Sequence, residues 1–485
     1  MMAMFEIFYK KLDLIYLTRA IFIFFFILNI FFLYYNFLIF LLLGYLLLTH
    51  YFFFYYYLKH ENTKNYFPIL PLISFFFFIS HTFVFFLAQI KFFYNNYTHL
   101  DILPKPILVL VLGLNFFLFG YIISEKIFST KKKKIFYFDY NLNQKLFTII
   151  FFIILSYLIN FDQFCGPFLQ YSFIKQLREP VNLFALGIIL IMILKNDTKS
   201  NFWYFLFALT FLMIYMIEIS EAFISSIFCI IIFLFAMYFY IKKKLPILSI
   251  IFSVFLLFLA YAIKDEVRKK TWFKNFHCSE KIVISLNVLK DNFLGKYKYD
   301  NSEKDIKIES AHKKIYPVAR IFTNIETLNK VVILTPEKVA FFKGSSYGHI
   351  YTKFIPRSLW SDKPTETYGN FWGHRYYFLD PKDNITSWNF GILPEFYANF
   401  GIFGVVIGMF LFGLLVKFLI VKLRTKKSAE IEVLISSIII FNFFYLEINL
   451  SLILGKVINQ LIFFNIFFLF FYFFLKFIRK NNRLF

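Results

Sequence analysis

The residues best suited to chemistry lie in one stretch, 355–401. Arg357, Lys363, His374, Arg375 and Glu395 bring cations and a carboxylate together with Trp360, Trp372, Trp388 and Tyr397. Arginine presents a planar fork that matches phosphate oxygens, and lysine a point charge. Trp and Tyr rings stack on sugar rings, and they equally anchor membrane proteins at the headgroup level. A second pattern, Gly344-Ser345-Ser346-Tyr347-Gly348 with His349 adjacent, fits Gly-x-Ser-x-Gly. A nucleophile elbow needs a strand before the serine and a helix after it. The stretch 341–343 makes a poor strand end, so a glycine-rich turn is expected instead. There is no Gly-x-x-x-x-Gly-Lys-Ser/Thr phosphate loop, no His-Glu-x-x-His and no Asp-x-Asp pair to hold a divalent ion on a nucleotide sugar. These absences disfavour an ATP-driven pump and a sugar-nucleotide transferase.

The order of residues in this stretch resembles a known family. Ile355-Pro356-Arg357-Ser358-Leu359-Trp360-x-x-Lys363-Pro364, then Glu395-x-Tyr397-x-Asn399-Phe400-Gly401-x-x-Gly404, is similar to the Wzy-type O-antigen and exopolysaccharide polymerases. The likeness covers the second half of a long loop and the span after it; elsewhere only the many-span layout agrees. It implies a GT-C-like helical fold with a large periplasmic loop. It also implies polymerisation of undecaprenyl-diphosphate-linked repeat units, with no nucleotide or metal cofactor. In that reaction an acceptor sugar hydroxyl attacks the anomeric carbon of a lipid-linked chain, and the bond to the diphosphate breaks so that the lipid diphosphate leaves. Preorganised cations stabilise the leaving charge in a site of reduced dielectric, which points to Arg357 and Lys363, with Arg320, Arg268 and Arg178 behind them. A general base must take the hydroxyl proton. Glu395 is preferred because it abuts the membrane entry of the following span, and His374 is the alternative. Tyr347, Trp360, Tyr397 and Asn399 complete the expected substrate contacts. The family is described with functional arginines in two periplasmic loops; the earlier loop here, 161–180, offers Lys175 and Arg178. The expected partners are the lipid-linked glycan, membrane lipid and a chain-length regulator protein. The nearest rival is an O-antigen ligase using the same donor with a lipid A-core acceptor. A transporter or flippase would instead place charges within spans or break helices in inverted repeats.

Positioning these residues falls to helices in lipid. Sixty per cent of the 485 residues are hydrophobic, and mean hydropathy is +0.65. The apolar residues come in unbroken blocks of about 20, long enough to cross the ~30 Å hydrocarbon core as helix. Barrel strands would alternate apolar and polar residues instead. The expected fold is an all-α polytopic membrane protein of about twelve spans, near 14–34, 37–57, 67–90, 104–124, 146–160, 181–194, 202–217, 222–240, 246–263, 398–420, 431–448 and 457–475. The first block is span-length and runs into a second, so no cleavable signal sequence is expected. With the N-terminus inside, 24 Lys and Arg fall in or beside the inner short connections and 5 in or beside the outer ones, Arg19 and Lys105 being counted with the adjacent ends. The positive-inside rule then puts both termini in the cytoplasm of a bacterial inner membrane. Residues 264–395, the one long hydrophilic stretch, fall outside and carry 15 of the 29 acidic residues. The chain therefore divides into an N-terminal bundle, 1–263, the external loop, 264–395, and a C-terminal bundle, 396–485.

The net charge of +23 resides at loop ends, where it sets topology, so nucleic acid is not an expected partner. The 78 Phe and 33 Tyr serve against lipid tails rather than as a recognition surface. Cys165, Cys229 and Cys278 form no Cys-x-x-Cys pair and are read as structural.

Overall fold

The computed structural model describes residues 14–61, 66–88, 103–128, 142–165, 172–195, 201–271, 276, 278–293, 323–355, 360, 362–363, 368–384, 386–423 and 430–481. These residues form helices and turns, with no strand among them. In lipid a segment must satisfy its own backbone N–H and C=O groups, and uninterrupted runs of Leu, Ile and Phe do so as helix. Among the described residues nine helices are long and apolar enough to cross a membrane, from Phe37–Glu61 to Leu450–Phe470. The chain is a polytopic membrane protein. Helices also occupy the three remaining expected blocks, at Leu14–Tyr35, Leu142–Cys165 and Glu430–Phe441. The described apolar stretch of each is shorter than a span, and the 12 residues of Glu430–Phe441 reach only about 18 Å at 1.5 Å per residue.

Contacts divide the chain into two compact units that cut across the expected sequence blocks. One comprises residues 1–133, 308–422 and 442–459, the other 134–307, 423–441 and 460–485. The long hydrophilic stretch is thus shared between them. Its beginning also moves: the Ile247–Thr271 helix runs on through Lys264 and Arg268, past the expected span end at 263. Arg268 and its neighbours are borne on helix rather than loop.

In the first unit, small residues let two helices touch backbone to backbone. A Cβ on Gly120 would lie 2.1 Å from the Phe410 carbonyl oxygen, and one on Gly413 2.1 Å from that of Phe117. Ser124 Oγ donates to the Leu414 carbonyl at 2.9 Å across the same seam. Further along it, Lys417 is fully buried and ion-paired with Glu61 and with Glu125, the latter at 3.2 Å. Tyr121 donates to Glu61 at 2.9 Å. Glu61 ends a π-helical turn, Tyr57–Glu61.

In the second unit, Tyr215, Ile219, Ile227, Ile263, Val267 and Val288 share one core. The Ile247–Thr271 helix turns Leu248, Ile251, Phe252, Phe255 and Phe258 outward, each more than half exposed. Water would penalise so continuous an apolar face, whereas lipid tails do not.

Candidate functional site

The site is built on a reversal that the Ile392–Leu423 helix makes at Phe400 and Gly401. Phe400 leaves the helical region (φ −142°, ψ 19°), and Gly401 adopts φ +62°, ψ −143°. In an unbroken helix Phe396 and Gly408 would stand about 18 Å apart. Here a Cβ on Gly408 would lie 2.7 Å from Phe396 Cγ, and one on Gly404 2.2 Å from the Phe396 carbonyl oxygen. The short helical segment 392–399 therefore folds back along the longer one. Gly404 and Gly408, four apart on one face, form the groove that receives it.

Reversal leaves the last carbonyls of the short segment without helical partners, and the Phe342–Gly344 backbone supplies them. Phe342 N donates to the Ala398 carbonyl at 3.0 Å and Lys343 N to that of Asn399 at 3.2 Å. Gly344 N donates to Asn399 Oδ1 at 2.9 Å. Gly344 has φ +88°, a conformation glycine adopts without the Cβ penalty, and it turns the chain into the Ser345–His349 3-10 helix.

Glu395 lies one turn before Asn399, on the same face. It is fully buried and carries a hydrogen bond at each oxygen. Ser346 Oγ donates to Oε1 at 2.9 Å, and Leu450 N donates to Oε2 at 2.7 Å. Asn399 Nδ2 donates to Ser346 Oγ and to the Glu395 carbonyl, both at 2.8 Å. Leu450 opens the Leu450–Asn481 helix, and Asn449 Oδ1 accepts from Leu452 N at 3.2 Å as its cap. A carboxylate at that end meets both free N–H groups and the positive pole of the helix. One glutamate thus ties together three separate stretches of chain. With no exposed surface and both oxygens engaged, it is placed as a clamp rather than within reach of an incoming hydroxyl.

The Gly-x-Ser-x-Gly pattern is part of this clamp. Ser346 is buried against Glu395 and Asn399, unlike the exposed serine of a nucleophile elbow. Burial, and secondarily the charge of Glu395, push the pKa of Tyr347 far above the usual phenol range, against an opposing hydrogen bond with Asn399. Tyr347 is therefore a neutral hydroxyl at ordinary pH. A cavity of about 10 Å³ lined by His81, Asn324, Thr327 and Pro394 adjoins this unit's core; that is room for one water.

The other expected residues take varied places. Arg357 and Arg320 lie outside the described residues. Lys363 Nζ donates to the Ile355 carbonyl at 2.9 Å and Lys363 N to that of Trp360 at 3.2 Å. Trp360 is half-buried. Tyr397 is packed inside the unit, with no ring face open to a sugar. His374 Nε2 donates to the Asp383 carbonyl at 2.8 Å. Trp372 belongs to an aromatic core with Phe342 and Phe390, its ring centroid 4.3 Å from each. Trp388 stacks on Phe378 at 4.5 Å. Arg375 lies over Phe342, 4.5 Å from the ring centroid.

Arg178 and Arg268 belong to the second unit, where both reach the region around one helix–helix turn. Arg178 pairs with Glu218 at 2.6 Å, and Arg268 donates to the Ala222 carbonyl at 3.3 Å. Lys281 pairs there with Glu221 at 3.1 Å. These contacts brace the turn. Among the described residues no group of three His, Cys, Asp or Glu side chains could hold a metal ion.

Sequence reasoning missed Ser346 and the Leu450 N–H as partners of Glu395. The available signals were the i, i+4 spacing of Glu395 and Asn399, and Asn449 just before an apolar run, which marks a helix start. No family model, curated protein or solved structure matches the chain.

Proposed function

We propose that the chain is a membrane glycosyltransferase that polymerises undecaprenyl-diphosphate-linked oligosaccharide repeat units at the periplasmic face of the inner membrane. The observation that carries this reading is the clamp. Glu395, Asn399 and Gly401 of the second motif share one hydrogen-bonded reversal with the Gly344–His349 turn, and the chain runs from that turn through Tyr351–Phe354 into the first motif at Ile355. The two halves of the resemblance, more than thirty residues apart, thus have a common physical purpose. On this proposal Arg357 and Lys363 of the first motif act on the leaving diphosphate. In this reading Glu395 is a positioning residue, and Tyr347 offers a neutral hydroxyl donor.

The Lys417–Glu61–Glu125 cluster favours a second reading, since buried charge within spans is what a transporter uses to carry ions or substrate. One strain separates the possibilities. Deletion of the gene should leave single repeat units on lipid A-core and abolish long chains. Long chains still made but unattached would mean a ligase, and loss of both would mean export or an earlier step. In the deletion strain, Arg357→Ala should reach the membrane at normal abundance yet lower polymerisation about 10²–10³-fold, the worth of one oxyanion-type donor. Arg357→Lys keeps charge without the fork and should restore chains only in part. Normal chain lengths with Arg357→Ala would remove that residue from the mechanism.

A further inference from the structure

We propose that His81 binds one internal water on its Nε2 nitrogen, in the cavity that it lines with Asn324, Thr327 and Pro394. The water joins a spanning helix to the helix at 323–334. The inference is independent of the polymerase reading.

His81 is buried in the π-helical turn Phe78–Thr82, within the apolar stretch Ile69–Leu87 that is long enough to cross a membrane. Turns of this kind are rare and occur frequently at functional sites. Here the local hydrogen bonds fix the histidine's tautomer. Ser80 Oγ lies 2.7 Å from the Phe76 carbonyl oxygen and 2.7 Å from His81 Nδ1. A carbonyl oxygen only accepts, so the single hydroxyl hydrogen goes to Phe76. Ser80 Oγ must then accept from His81, which places the ring hydrogen on Nδ1. In the neutral ring Nε2 is left as a lone-pair acceptor. Among the described residues no donor meets it. His50, buried in the same unit, is the contrast. Ser74 Oγ lies 2.9 Å from its Nδ1, and Thr82 Oγ1 lies 2.8 Å from its Nε2.

A buried acceptor without a donor is costly, and such groups are met by protein or by ordered water. The cavity beside His81, about 10 Å³, is of the size that holds a single water. Its other polar side chains also have acceptors to offer. Thr327 Oγ1 gives its hydrogen to the Thr323 carbonyl at 2.7 Å and accepts from Trp388 Nε1 at 3.1 Å, which leaves one lone pair. Asn324 Nδ2 donates to Glu447 at 3.1 Å, and the amide oxygen remains. The occupant must therefore be small and able to donate twice. A water gives one hydrogen to His81 and the other to Thr327 or Asn324.

The test is NMR of the full chain in phosphatidylcholine nanodiscs at neutral pH, with heavy-nitrogen histidine. The His81 ring is the one, of eight histidines, whose signals vanish in His81→Gln. Its Nδ1 should carry hydrogen, its Nε2 should be bare, and the ring should receive magnetisation from water. Ser80→Ala removes the acceptor that fixes the tautomer and should move hydrogen from Nδ1 to Nε2. Asn324→Leu fills the cavity and should abolish the transfer from water while the hydrogen stays on Nδ1. Unchanged His50 signals show that each variant has folded. A wild-type ring with hydrogen on Nε2 would overturn the site, and so would transfer from water that Asn324→Leu leaves intact. The wild-type spectrum decides the first of these whether or not the variants fold.

Discussion

A carboxylate shut away from water keeps its charge only if donors replace the water it has lost. Glu395 has two in Ser346 and Leu450 N. Removing one partner of such a bond costs about 1–3 kcal/mol, because the other group stays buried and unsatisfied. Ser346→Ala, Asn399→Ala and Glu395→Gln should therefore each lower the melting temperature and membrane abundance. Ser346→Ala combined with Glu395→Gln should cost less than the sum, since both alter the same contact. A base in contact with substrate behaves differently: Glu395→Gln would abolish turnover with stability unchanged. That outcome would reinstate Glu395 as the proton acceptor. At this scale the sequence was partly legible. Glu395 and Asn399 stood out by type and spacing, but their role depends on Ser346 and Leu450, about fifty residues away on either side. Aromatic residues read least well, because a Trp that stacks on sugar and one that fills a core have the same local sequence. Trp372 proves to be core, and the partly buried Trp388 stacks on Phe378.

The apolar helices were legible as elements because lipid demands long unbroken apolar runs and little else. The reversal at Phe400–Gly401 was not, since a glycine within such a run also reads as a simple packing site. The two glycines that follow can be told apart by experiment. The atoms nearest a Cβ on Gly408 belong to the Phe396 ring, whereas the atom nearest one on Gly404 is the Phe396 backbone oxygen. Gly408→Ala should destabilise by about 1–3 kcal/mol through overpacking, and Phe396→Ala should recover part of that loss. The same second substitution should not rescue Gly404→Ala, because the obstructing oxygen remains. Thermal melts of the two single and two double variants decide it. Rescue of both glycine variants would mean that the segments do not pack backbone to backbone.

For the whole molecule, the charge distribution predicts an orientation. Alkaline phosphatase fused after residue 300 should be active, and a fusion after Lys134 inactive; the reverse pattern would place the clamp on the cytoplasmic side. The three sequence blocks do not coincide with the compact units. The compact units are assembled from stretches far apart in the chain, and hydropathy records which residues avoid water, not which helices are neighbours. Lys417 illustrates the gap. Read along the sequence it is an isolated lysine near a span end, yet it is buried against Glu61 and Glu125.

That ion cluster also has a history in time. Glu61 and Lys417 are 356 residues apart, and Glu125 is likewise made long before the lysine. At about 5–20 residues per second, the ribosome needs on the order of twenty seconds to a minute to travel from the first glutamate to its partner. Through that interval both acids are already on nascent helices, with no Lys417 yet made to meet them. The seam through Gly120 and Gly413 can close around paired charges only late in synthesis. A chain stopped short of Lys417 would carry two acidic groups that a membrane quality-control protease could recognise as unfinished.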